Sequence, residues 1–447
     1  MIKEIHVKNF KSWKNLDISR MGKVTLLFGE NSSGKTSLIQ LLLLLKQTAE
    51  SYDRAQPLNL GTKEDLVELG LYNDFIYGHD VKLPLSMRID WEIPLFPFKG
   101  KSAFIDVTFK YISNSIRVAQ TEVGLEGDFG GKWAKASLTR NPKGGYGLKV
   151  NDEAISELGS TRELTPNKCY GFPPPATQRF PNLNELSLAV EQLAGRMYYL
   201  GPLRVFPERE YKWAGSAPAG VGRSGETAIQ AILANMFERK ALNKSDKAAI
   251  SDIIVETDKW LKRMKLADSF EVKPISGRQY KVELKVSDYH IPANVADVGV
   301  GVSQVLPIIV LAYFVPMGSI IILEQPELHL HPSVQAVLAE FFYEVAQERN
   351  IQFIVETHSE HLLTRLQRRV AERTIWELSE EDVKLFISRR ETAQSEISEL
   401  QLDSSGRILN WPPHFFGDTV SDREAIMKAF LKSKSDKHKD QPEEWPL

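Results

Sequence analysis

The stretch Gly29-Glu30-Asn31-Ser32-Ser33-Gly34-Lys35-Thr36 decides the fold of this chain. The short apolar run 24–28 comes directly before it and predicts a buried strand, and residues 37–45 follow with the pattern of a buried helix. Two glycines and a Lys-Thr pair between a strand and a helix are typical of a loop that surrounds phosphate groups. A glycine-rich turn that binds nothing is the alternative, and the flanking strand and helix argue against it.

Each position of this loop predicts a contact with a nucleotide. Its glycines allow backbone conformations that other residues disfavour, so that N–H groups and the helix N-terminus can face phosphate oxygens. Lys35 is expected to bridge the β- and γ-phosphates, and the Thr36 hydroxyl is expected to bind Mg²⁺. The residues predicted to bind the nucleotide here are Gly29, Asn31, Ser32, Ser33, Gly34, Lys35, Thr36 and Ser37.

A second part of the site is predicted near residue 320. Residues 319–323 have the pattern of a buried strand, and Glu324 follows it directly. An acid at the carboxyl end of a parallel strand is placed to hold the Mg²⁺ of a nucleotide that lies on the neighbouring loop. Glu324 is therefore the predicted metal ligand, together with Thr36.

A third part follows at residues 351–359. Residues 351–355 predict another buried strand, which ends at Glu356 and is followed closely by His358. A histidine at this position can sense the γ-phosphate. Both residues are candidates for a catalytic role.

Together these segments resemble the heads of ABC-type ATPases. The motifs are NFKSW (9–13), the glycine loop, LEQPELHLHP (323–332) and ETHSEH (356–361), and they are similar to those of the SMC, RecF and OLD (overcoming lysogenization defect) proteins, within the broadly labelled AAA ATPases of bacterial defence loci. The resemblance covers about residues 1–50 and 297–447. It implies ATP and Mg²⁺ as cofactors. It also implies an α/β P-loop NTPase fold, with a mixed sheet flanked by helices, an antiparallel β-lobe, a helical insertion and a small α/β C-terminal module.

The family also has a signature segment that reaches the ATP of a second subunit. The best match is Asp297-Val298-Gly299-Val300-Gly301-Val302-Ser303-Gln304, which departs from the usual Ser-Gly-Gly-Gln run. Gly301 and Ser303 are the residues expected to meet a γ-phosphate there. The resemblance thus implies a head-to-head dimer or a higher oligomer.

Gln325 occupies the position where ABC-type heads normally carry a glutamate that activates water. A neutral amide can orient water but is a poor proton acceptor, which predicts slow hydrolysis with ATP acting largely as a clamp. Glu327 or Glu356 can supply the missing carboxylate instead. For Glu327 the other interpretation is an acid that caps the helix beginning at Pro332.

Two further motifs have competing interpretations. His329, His331, His358 and His361 suggest a zinc site, but their spacing matches no closed zinc pattern and the chain has a single cysteine. The segment Asn243-Lys244-Ser245-Asp246 matches the guanine-selecting motif of GTPases, yet it lies between helix-like stretches and before Glu324. A helix N-cap is the favoured role for that segment, and adenine the favoured base.

The segment Tyr198-Tyr199-Leu200-Gly201-Pro202-Leu203-Arg204, with Arg209 after it, resembles a loop of compact members of the family. Arg204 and Arg209 can couple ATP occupancy to the insertion, because guanidinium groups hold phosphates and carboxylates in a fixed geometry. Structural ion pairs are an equally good interpretation.

Composition favours a cytoplasmic protein without a membrane span. The apolar run 305–323 is interrupted by Pro307 and Pro316, which predicts a buried helix and a strand. No signal peptide is visible at the N-terminus, and the lone Cys169 agrees with a reducing compartment. A net charge of −2 gives no global attraction to DNA, and the basic stretch 432–439 is expected to be a solvated tail or, less plausibly, a nucleic-acid contact.

The pattern along the 447 residues predicts five regions. They are the first part of the head (1–50), a β-rich lobe (51–172), a mainly helical insertion that ends in a β-hairpin (173–296), the second part of the head (297–380), and a C-terminal module with a tail (381–447). In that module residues 383–388 and then 397–402 predict strands. Sustained heptads and a Toprim-like cluster of acids are missing from the sequence, which argues against a long coiled coil and against nuclease activity in this chain.

The resemblance implies an ATP-dependent dimeric switch. A compact ATPase of this type is expected to control a separate effector, such as a nuclease, in defence against phage. The alternatives are a RecF-like repair ATPase that binds DNA directly and a non-hydrolysing scaffold that uses ATP for assembly.

Overall fold

The computed structural model describes residues 1–93, 101–129, 132–155, 164–242, 251–286, 291–373, 379–392, 394–411 and 425–429. The patterns noted at 243–246 and 432–439 lie outside these described residues. Strands are numbered in chain order, and the helices are named by their ranges. The strands are β1 (Ile2–Phe10), β2 (Trp13–Ile18), β3 (Val24–Gly29), β4 (Leu85–Ile93), β5 (Lys101–Ile112), β6 (Ser115–Phe129), β7 (Lys132–Arg140), β8 (Tyr146–Val150), β9 (Glu153–Ile155), β10 (Met197–Leu200), β11 (Tyr211–Lys212), β12 (Ser269–Pro274), β13 (Gln279–Lys285), β14 (Ala293–Asn294), β15 (Ile320–Glu324), β16 (Gln352–Glu356), β17 (Val383–Glu391) and β18 (Gln394–Leu400). The α-helices are Lys35–Glu50, Tyr72–Phe75, Pro174–Arg179, Leu183–Gly195, Ala228–Ala241, Ile253–Arg263, Val300–Phe314, Pro332–Glu348 and Glu360–Glu372.

A six-stranded sheet carries the predicted site. Its order is β10-β15-β16-β3-β17-β18, and the first five strands are parallel while β18 is antiparallel to β17. Strand β16 lies between β15 and β3, so Glu324 is next to Glu356 and Glu356 is next to Leu27. Because the strands run in one direction, the glycine loop and both acids emerge at the same edge of the sheet.

The β-lobe is an antiparallel sheet of eight strands in the order β2-β1-β4-β5-β6-β7-β8-β9. Its first two strands come from residues 2–18, which the sequence pattern had assigned to the ATPase head. Gln352 on β16 joins the lobe to the six-stranded sheet, because its side chain bonds both the N–H and the C=O of Ile2, at 2.8 Å each. The lobe and the site therefore share one continuous framework.

The C-terminal region adds two strands to the nucleotide-binding sheet. Strands β17 and β18 were predicted as strands of a separate small module, but β17 pairs with β3 along residues 383–388. The strand that carries the glycine loop thus has neighbours on both sides. Residues 383–400 belong structurally to the head.

Helices predominate over strands in the described part of the insertion. Its predicted hairpin is confirmed by the antiparallel pairing of β12 with β13, which β11 and β14 extend. Strand β10 was not predicted from the sequence, and it pairs in parallel with β15 in the main sheet. The insertion therefore reaches the predicted site directly.

The apolar run 305–323 forms a buried helix and a buried strand, as predicted. Within the described residues no helix combines the length and apolar character needed to cross a membrane. The sheet separates two hydrophobic cores, since Leu27 packs with the lobe and helix Lys35–Glu50, while Leu26 and Phe28 pack with helices Val300–Phe314 and Pro332–Glu348. This alternation is expected of a strand with both faces covered.

Candidate functional site

Two close contacts fix the shape of the glycine loop. Gly34 has φ +103°, and a Cβ atom there would lie 2.7 Å from the ring of Trp13. The Trp13 Nε1 atom donates a hydrogen bond to the Gly34 carbonyl over 3.1 Å. Gly29 has φ +142° and approaches the Ser388 backbone so closely that a Cβ atom would be 2.1 Å from its carbonyl oxygen. Only glycine fits these two positions.

A cleft of about 370 Å³ lies over this loop. Most of the predicted nucleotide-binding residues line it, together with Gln325 and Glu356 from the ends of β15 and β16. The complete lining is Lys11, Ser12, Asn31, Ser32, Ser33, Gly34, Lys35, Thr36, Ser37, Gln325 and Glu356. Segments from opposite ends of the chain therefore converge on one cleft.

The Lys35 side chain is folded onto the loop. Its Nζ atom donates to the carbonyl oxygens of Gly29 and Glu30, at 2.9 and 2.7 Å. Burial lowers the pKa of Lys35, while Glu356 and Glu30 raise it in opposition. The hydroxyl of Ser33 is buried with no partner among the described residues. An amine and an unpaired hydroxyl in such a cradle fit a phosphate group.

The Thr36 hydroxyl donates to Glu356 rather than to Glu324. It lies 3.1 and 2.9 Å from the two carboxylate oxygens of Glu356. Glu324 instead accepts a hydrogen bond from the hydroxyl of Tyr199, at 2.8 Å. Burial and the neighbouring Glu356 raise the pKa of Glu324 to about 7. The hydrogen bond from Tyr199 and the charge of Arg204 lower this pKa, but by less. Burial likewise raises the pKa of Glu356.

These oxygen groups suit a Mg²⁺ ion. Mg²⁺ prefers hard oxygen ligands and usually takes one or two carboxylates, with waters and phosphate oxygens completing its shell. Thr36, Glu324 and Glu356 supply a hydroxyl and two carboxylates, and the two glutamates are register neighbours. A bound cation would also relieve the repulsion between these carboxylates.

Glu327 is buried, as Glu356 is. One of its oxygens accepts a hydrogen bond from the backbone N–H of His358, at 2.7 Å, and the other is buried without a partner among the described residues. Burial raises the pKa of Glu327. The interpretation of Glu327 as a helix cap is wrong, because the side chain of His331 accepts from Ser333 and caps helix Pro332–Glu348.

His358 follows β16 and is partly exposed. Burial and the nearby charge of Lys35 lower its pKa, which favours the neutral imidazole at neutral pH. His358 does not line the cleft.

Gln325 has a left-handed backbone, with φ +42°. Such a conformation costs a non-glycine residue on the order of 1–3 kcal/mol, so the surroundings must impose it. The Gln325 N–H donates to the Glu356 carbonyl over 2.8 Å, and its own carbonyl accepts from Arg204 at 3.1 Å. These bonds hold Gln325 at the wall of the cleft.

The signature segment lies apart from the glycine-loop cleft. Ser303 is buried and donates to the Val300 carbonyl over 2.6 Å, while Val300 is 40% exposed at the helix start. Gly301 lies close to Leu266 and Leu330. Neither Gly301 nor Ser303 lines the cleft over the loop.

The two arginines of the 201–209 segment have different partners. Arg209 forms a bidentate ion pair with Asp297, at 2.9 and 2.6 Å, which ties this segment to the signature. Arg204 is buried, and its two terminal nitrogens donate to the backbone carbonyls of Pro202, Glu324 and Gln325 rather than to a carboxylate of the described residues. The ion-pair interpretation therefore describes Arg209 and not Arg204.

The four histidines considered for zinc do not gather into a metal site within the described parts of the chain. The group that is close enough there is Glu4, His6 and Asp90 on the β-lobe. Asp90 is already held by a bidentate contact with Arg88.

Sequence reasoning missed three residues at the site. Tyr199 was assigned to a loop, although the run Met197-Tyr198-Tyr199-Leu200 is apolar and β-prone. Lys11 and Ser12 line the cleft from the turn between β1 and β2. Their signal was the NFKSW motif itself, which predicted the family but not a place at the cleft.

Comparison with known proteins gives a family match over most of the chain. A family model described as "AAA ATPase domain" matches residues 1–161 and 223–363, which together exceed half of the chain. A second model, described as "Protein of unknown function (DUF3696)", matches residues 378–426.

Individual matches are more distant. An uncharacterized protein of Methanocaldococcus jannaschii is 31% identical over 93 residues, which are 20% of this chain and 41% of that protein. The chain thus spans about two fifths of the length of this curated relative.

Similar solved structures are SMC head domains. One is an SMC head bound to the C-terminal winged-helix domain of ScpA, with a TM-score of 0.46, 13% identity, and coverage of 90% of this chain and 98% of that one. The SMC head domain of Thermotoga maritima gives a TM-score of 0.39, 11% identity, and coverage of 89% and 98%. An SMC head with an extended coiled coil, bound to the C-terminal domain of ScpA derived from Pyrococcus furiosus, gives a TM-score of 0.41 and 10% identity. That match covers 90% of this chain and 96% of the other.

Proposed function

Because this chain belongs to the AAA ATPase domain family, we propose that it binds ATP with Mg²⁺ in the cleft over residues 29–37 and hydrolyses it to ADP and phosphate. The observation that carries this proposal is the convergence in one cleft of Lys35 and Thr36 with Gln325 and Glu356, from opposite ends of the chain.

Each residue has a defined task in this proposal. The N–H groups at the start of helix Lys35–Glu50 and the amine of Lys35 bind phosphate oxygens. Thr36 and Glu324 hold Mg²⁺, which supplies positive charge against the phosphates when it is bound. Lys35 exchanges its bonds to loop carbonyls for bonds to phosphate. His358 contacts the γ-phosphate from the end of β16.

Glu356 is the favoured proton acceptor, with Gln325 orienting the water. Glu356 lines the cleft, whereas Glu327 is turned toward the backbone of His358. Gln325 presents an amide at the same wall and cannot take up a proton at neutral pH. Glu356 also bonds to Thr36, so it is shared between two tasks and hydrolysis is slow.

Nucleotide binding is tested with a fluorescent ATP analogue. Wild-type protein is expected to bind it in the presence of Mg²⁺, and Lys35→Ala is expected to lose most of this affinity because the main phosphate ligand is removed. Lys82→Ala serves as a matched control, since this exposed lysine lies outside the cleft. Equal binding by wild type and Lys35→Ala would contradict the proposal.

We also propose that ATP joins the ATPase heads of two copies of this chain. Support comes from the separation of the signature segment from the cleft and from its exposed Val300. The mass of the particle in solution is then expected to double with ATP and to fall with ADP. An unchanged mass in ATP, ADP and no nucleotide would contradict a nucleotide-dependent dimer.

The biological role that we propose is control of a separate effector in defence against phage. The motifs resemble those of compact ATPases from defence loci. Co-purification with the product of an adjacent gene, followed by phage challenge, tests the role. Protection is expected to disappear with Lys35→Ala, and unchanged protection would argue against ATP control.

A further inference from the structure

We propose that Tyr199 and Arg204 are positioning residues of the ATP site, Tyr199 for the carboxylate of Glu324 and Arg204 for the backbone of Gln325. The inference rests on the proposed ATP hydrolysis. Both residues lie between the two stretches matched by the ATPase family model, 1–161 and 223–363, so the match assigns them no role.

Tyr199 reaches Glu324 from the neighbouring strand. Strand β10 pairs in parallel with β15, and Tyr199 lies opposite Ile322, two residues before Glu324. Its hydroxyl is 2.8 Å from Glu324 Oε1. Burial and the adjacent Glu324 raise the pKa of Tyr199, so the phenol keeps its proton and donates it. This bond restricts the rotation of the Glu324 carboxylate and leaves Oε2 free of Tyr199.

Arg204 is buried beneath the end of β15. One terminal nitrogen donates to the carbonyls of Pro202 and Gln325, at 2.9 and 3.1 Å, and the other donates to the Glu324 carbonyl at 3.2 Å. Burial lowers the pKa of Arg204 to about 10, and the guanidinium therefore remains charged at neutral pH. Its planar fork fixes two consecutive carbonyls at once.

The backbone of Gln325 requires such a restraint. Its φ of +42° is unfavourable for a residue with a side chain, yet this conformation turns the residue toward the cleft that it lines. The Gln325 N–H is tied to Glu356 and its C=O to Arg204. Without the guanidinium of Arg204, the backbone of Gln325 can relax. The side-chain amide of Gln325 is then no longer held where it orients the attacking water.

The first experiment uses Tyr199→Phe, which removes only the hydroxyl. Binding of a fluorescent ATP analogue is measured with Mg²⁺ and with EDTA. We expect affinity to fall about fivefold with Mg²⁺, the effect of one lost hydrogen bond, and to stay unchanged with EDTA. Tyr198→Phe is the matched control on the same strand and is expected to match wild type in both buffers.

Two results would overturn the role of Tyr199. One is unchanged affinity with Mg²⁺, and the other is an equal loss in both buffers, which would indicate general disruption. Wild-type protein that binds no analogue would refute the proposed ATP site itself. A wild type that binds, alongside an unaffected Tyr199→Phe, would refute only this inference.

The second experiment uses Arg204→Lys, which keeps the positive charge but removes the planar fork. We expect kcat to fall about tenfold while KM for ATP changes less than about twofold, because the catalytic amide is misplaced and the phosphate ligands are not. Arg196→Lys is the control, since Arg196 also donates to a backbone carbonyl, that of Met317, and neither residue lines the cleft. A kcat equal to that of wild type would overturn the assignment.

Folding stability supplies a test that does not depend on activity. Glycine adopts the backbone of Gln325 without strain. We therefore expect Arg204→Lys to lower the urea midpoint more in a Gln325→Gly background than in wild type, because only in wild type does release of the strained backbone offset part of the lost hydrogen bonds. An equal loss in both backgrounds, or failure of Arg204→Lys to fold in either, would show that Arg204 acts on the fold as a whole and not on Gln325.

Discussion

At the scale of single residues, the site concentrates carboxylates where solvent is scarce. Glu324, Glu327 and Glu356 are each at most 9% exposed, and burial raises the pKa of all three. Weak screening makes their mutual repulsion costly in the protein without ligand. Weak screening also strengthens their interaction with a bound cation. These acids therefore lower the stability of the ligand-free protein and raise its affinity for the cation.

The identity of residue 325 is expected to set the rate of hydrolysis. Gln325→Glu places a carboxylate at the wall of the cleft, where buried acids have raised pKa values and accept protons readily. We expect kcat for phosphate release to rise about tenfold or more. Gln325→Ala, which removes the amide, is expected to lower it. A kcat that neither substitution changes would show that Gln325 does not orient the attacking water.

Glu324 is expected to make the ligand-free protein less stable as pH rises. Its pKa in the folded chain is about 7, above the ordinary value of 4.5, so the folded state holds its proton more tightly than the unfolded state. The stability that this contributes is complete below pH 4.5 and is lost as pH rises to about 7. Glu324→Gln should therefore stabilise the protein at pH 8 by about 1–3 kcal/mol, and little at pH 4.5.

Urea unfolding in EDTA, without nucleotide, measures this difference. Glu64→Gln is the control, because Glu64 is exposed and does not line the cleft. A gain for Glu324→Gln of the same size at both pH values would show that ionisation is not its cause.

At the scale of elements, local patterns predicted the strands that end in acids. Residues 319–323 and 351–355 correspond to Ile320–Glu324 and Gln352–Glu356, so each acid is the last residue of its strand. Strand β10 escaped prediction because it has only four residues and its partner β15 is distant in sequence. The hydrogen bond from Tyr199 to Glu324 depends on that pairing, so the sequence pattern alone did not reveal it.

Local sequence patterns also did not predict which strands pair with each other. The pattern predicted that residues 383–388 form a strand, but not that this strand pairs with β3. Likewise it predicted that Glu324 is near the glycine loop, but not that β16 intervenes and brings Glu356 to Thr36. Such contacts are set by the order of strands in the sheet, which the hydrophobic period of one strand does not encode.

The glycine loop is expected to tolerate no side chain at Gly34. In Gly34→Ala the added methyl group would lie 2.7 Å from the Trp13 ring, on a backbone with φ +103°. We expect a loss of unfolding free energy of about 1–3 kcal/mol and at least about tenfold weaker ATP-analogue binding. Gly195→Ala is the control, since a Cβ atom there would meet nothing within 4 Å. Unchanged binding by Gly34→Ala would contradict the role of the loop.

At the scale of the whole molecule, the chain builds one nucleotide sheet from three separated segments. Strands β3, β10 and β15 to β18 come from the beginning, the middle and the end of the described chain. The 201–209 segment then runs from β10 to the signature, with Arg204 at the end of β15 and Arg209 on Asp297. If ATP binding moves Glu324 or Gln325, the movement can therefore reach the proposed dimer surface through Arg204, the 201–209 segment and the ion pair of Arg209.

If two heads share their ATP, each site takes its glycine loop from one subunit and its signature from the other. Lys35→Ala then disables the loop, and Val300→Glu disables the signature by placing an anion toward phosphate at an exposed position. An acid at a helix start is compatible with folding. Each variant alone is expected to be nearly inactive in ATP hydrolysis.

Mixing the two variants provides the decisive measurement. A mixed dimer contains one site with the intact loop of the Val300→Glu subunit and the intact signature of the Lys35→Ala subunit. Random pairing makes half of the dimers mixed, and each has one of two sites working, so the mixture should recover about one quarter of the wild-type rate. Val300→Gln, of similar size but neutral, is expected to remain active. A mixture as inactive as its components would show that each head completes its own site, and the separation of Ser303 from the glycine-loop cleft would then need another explanation.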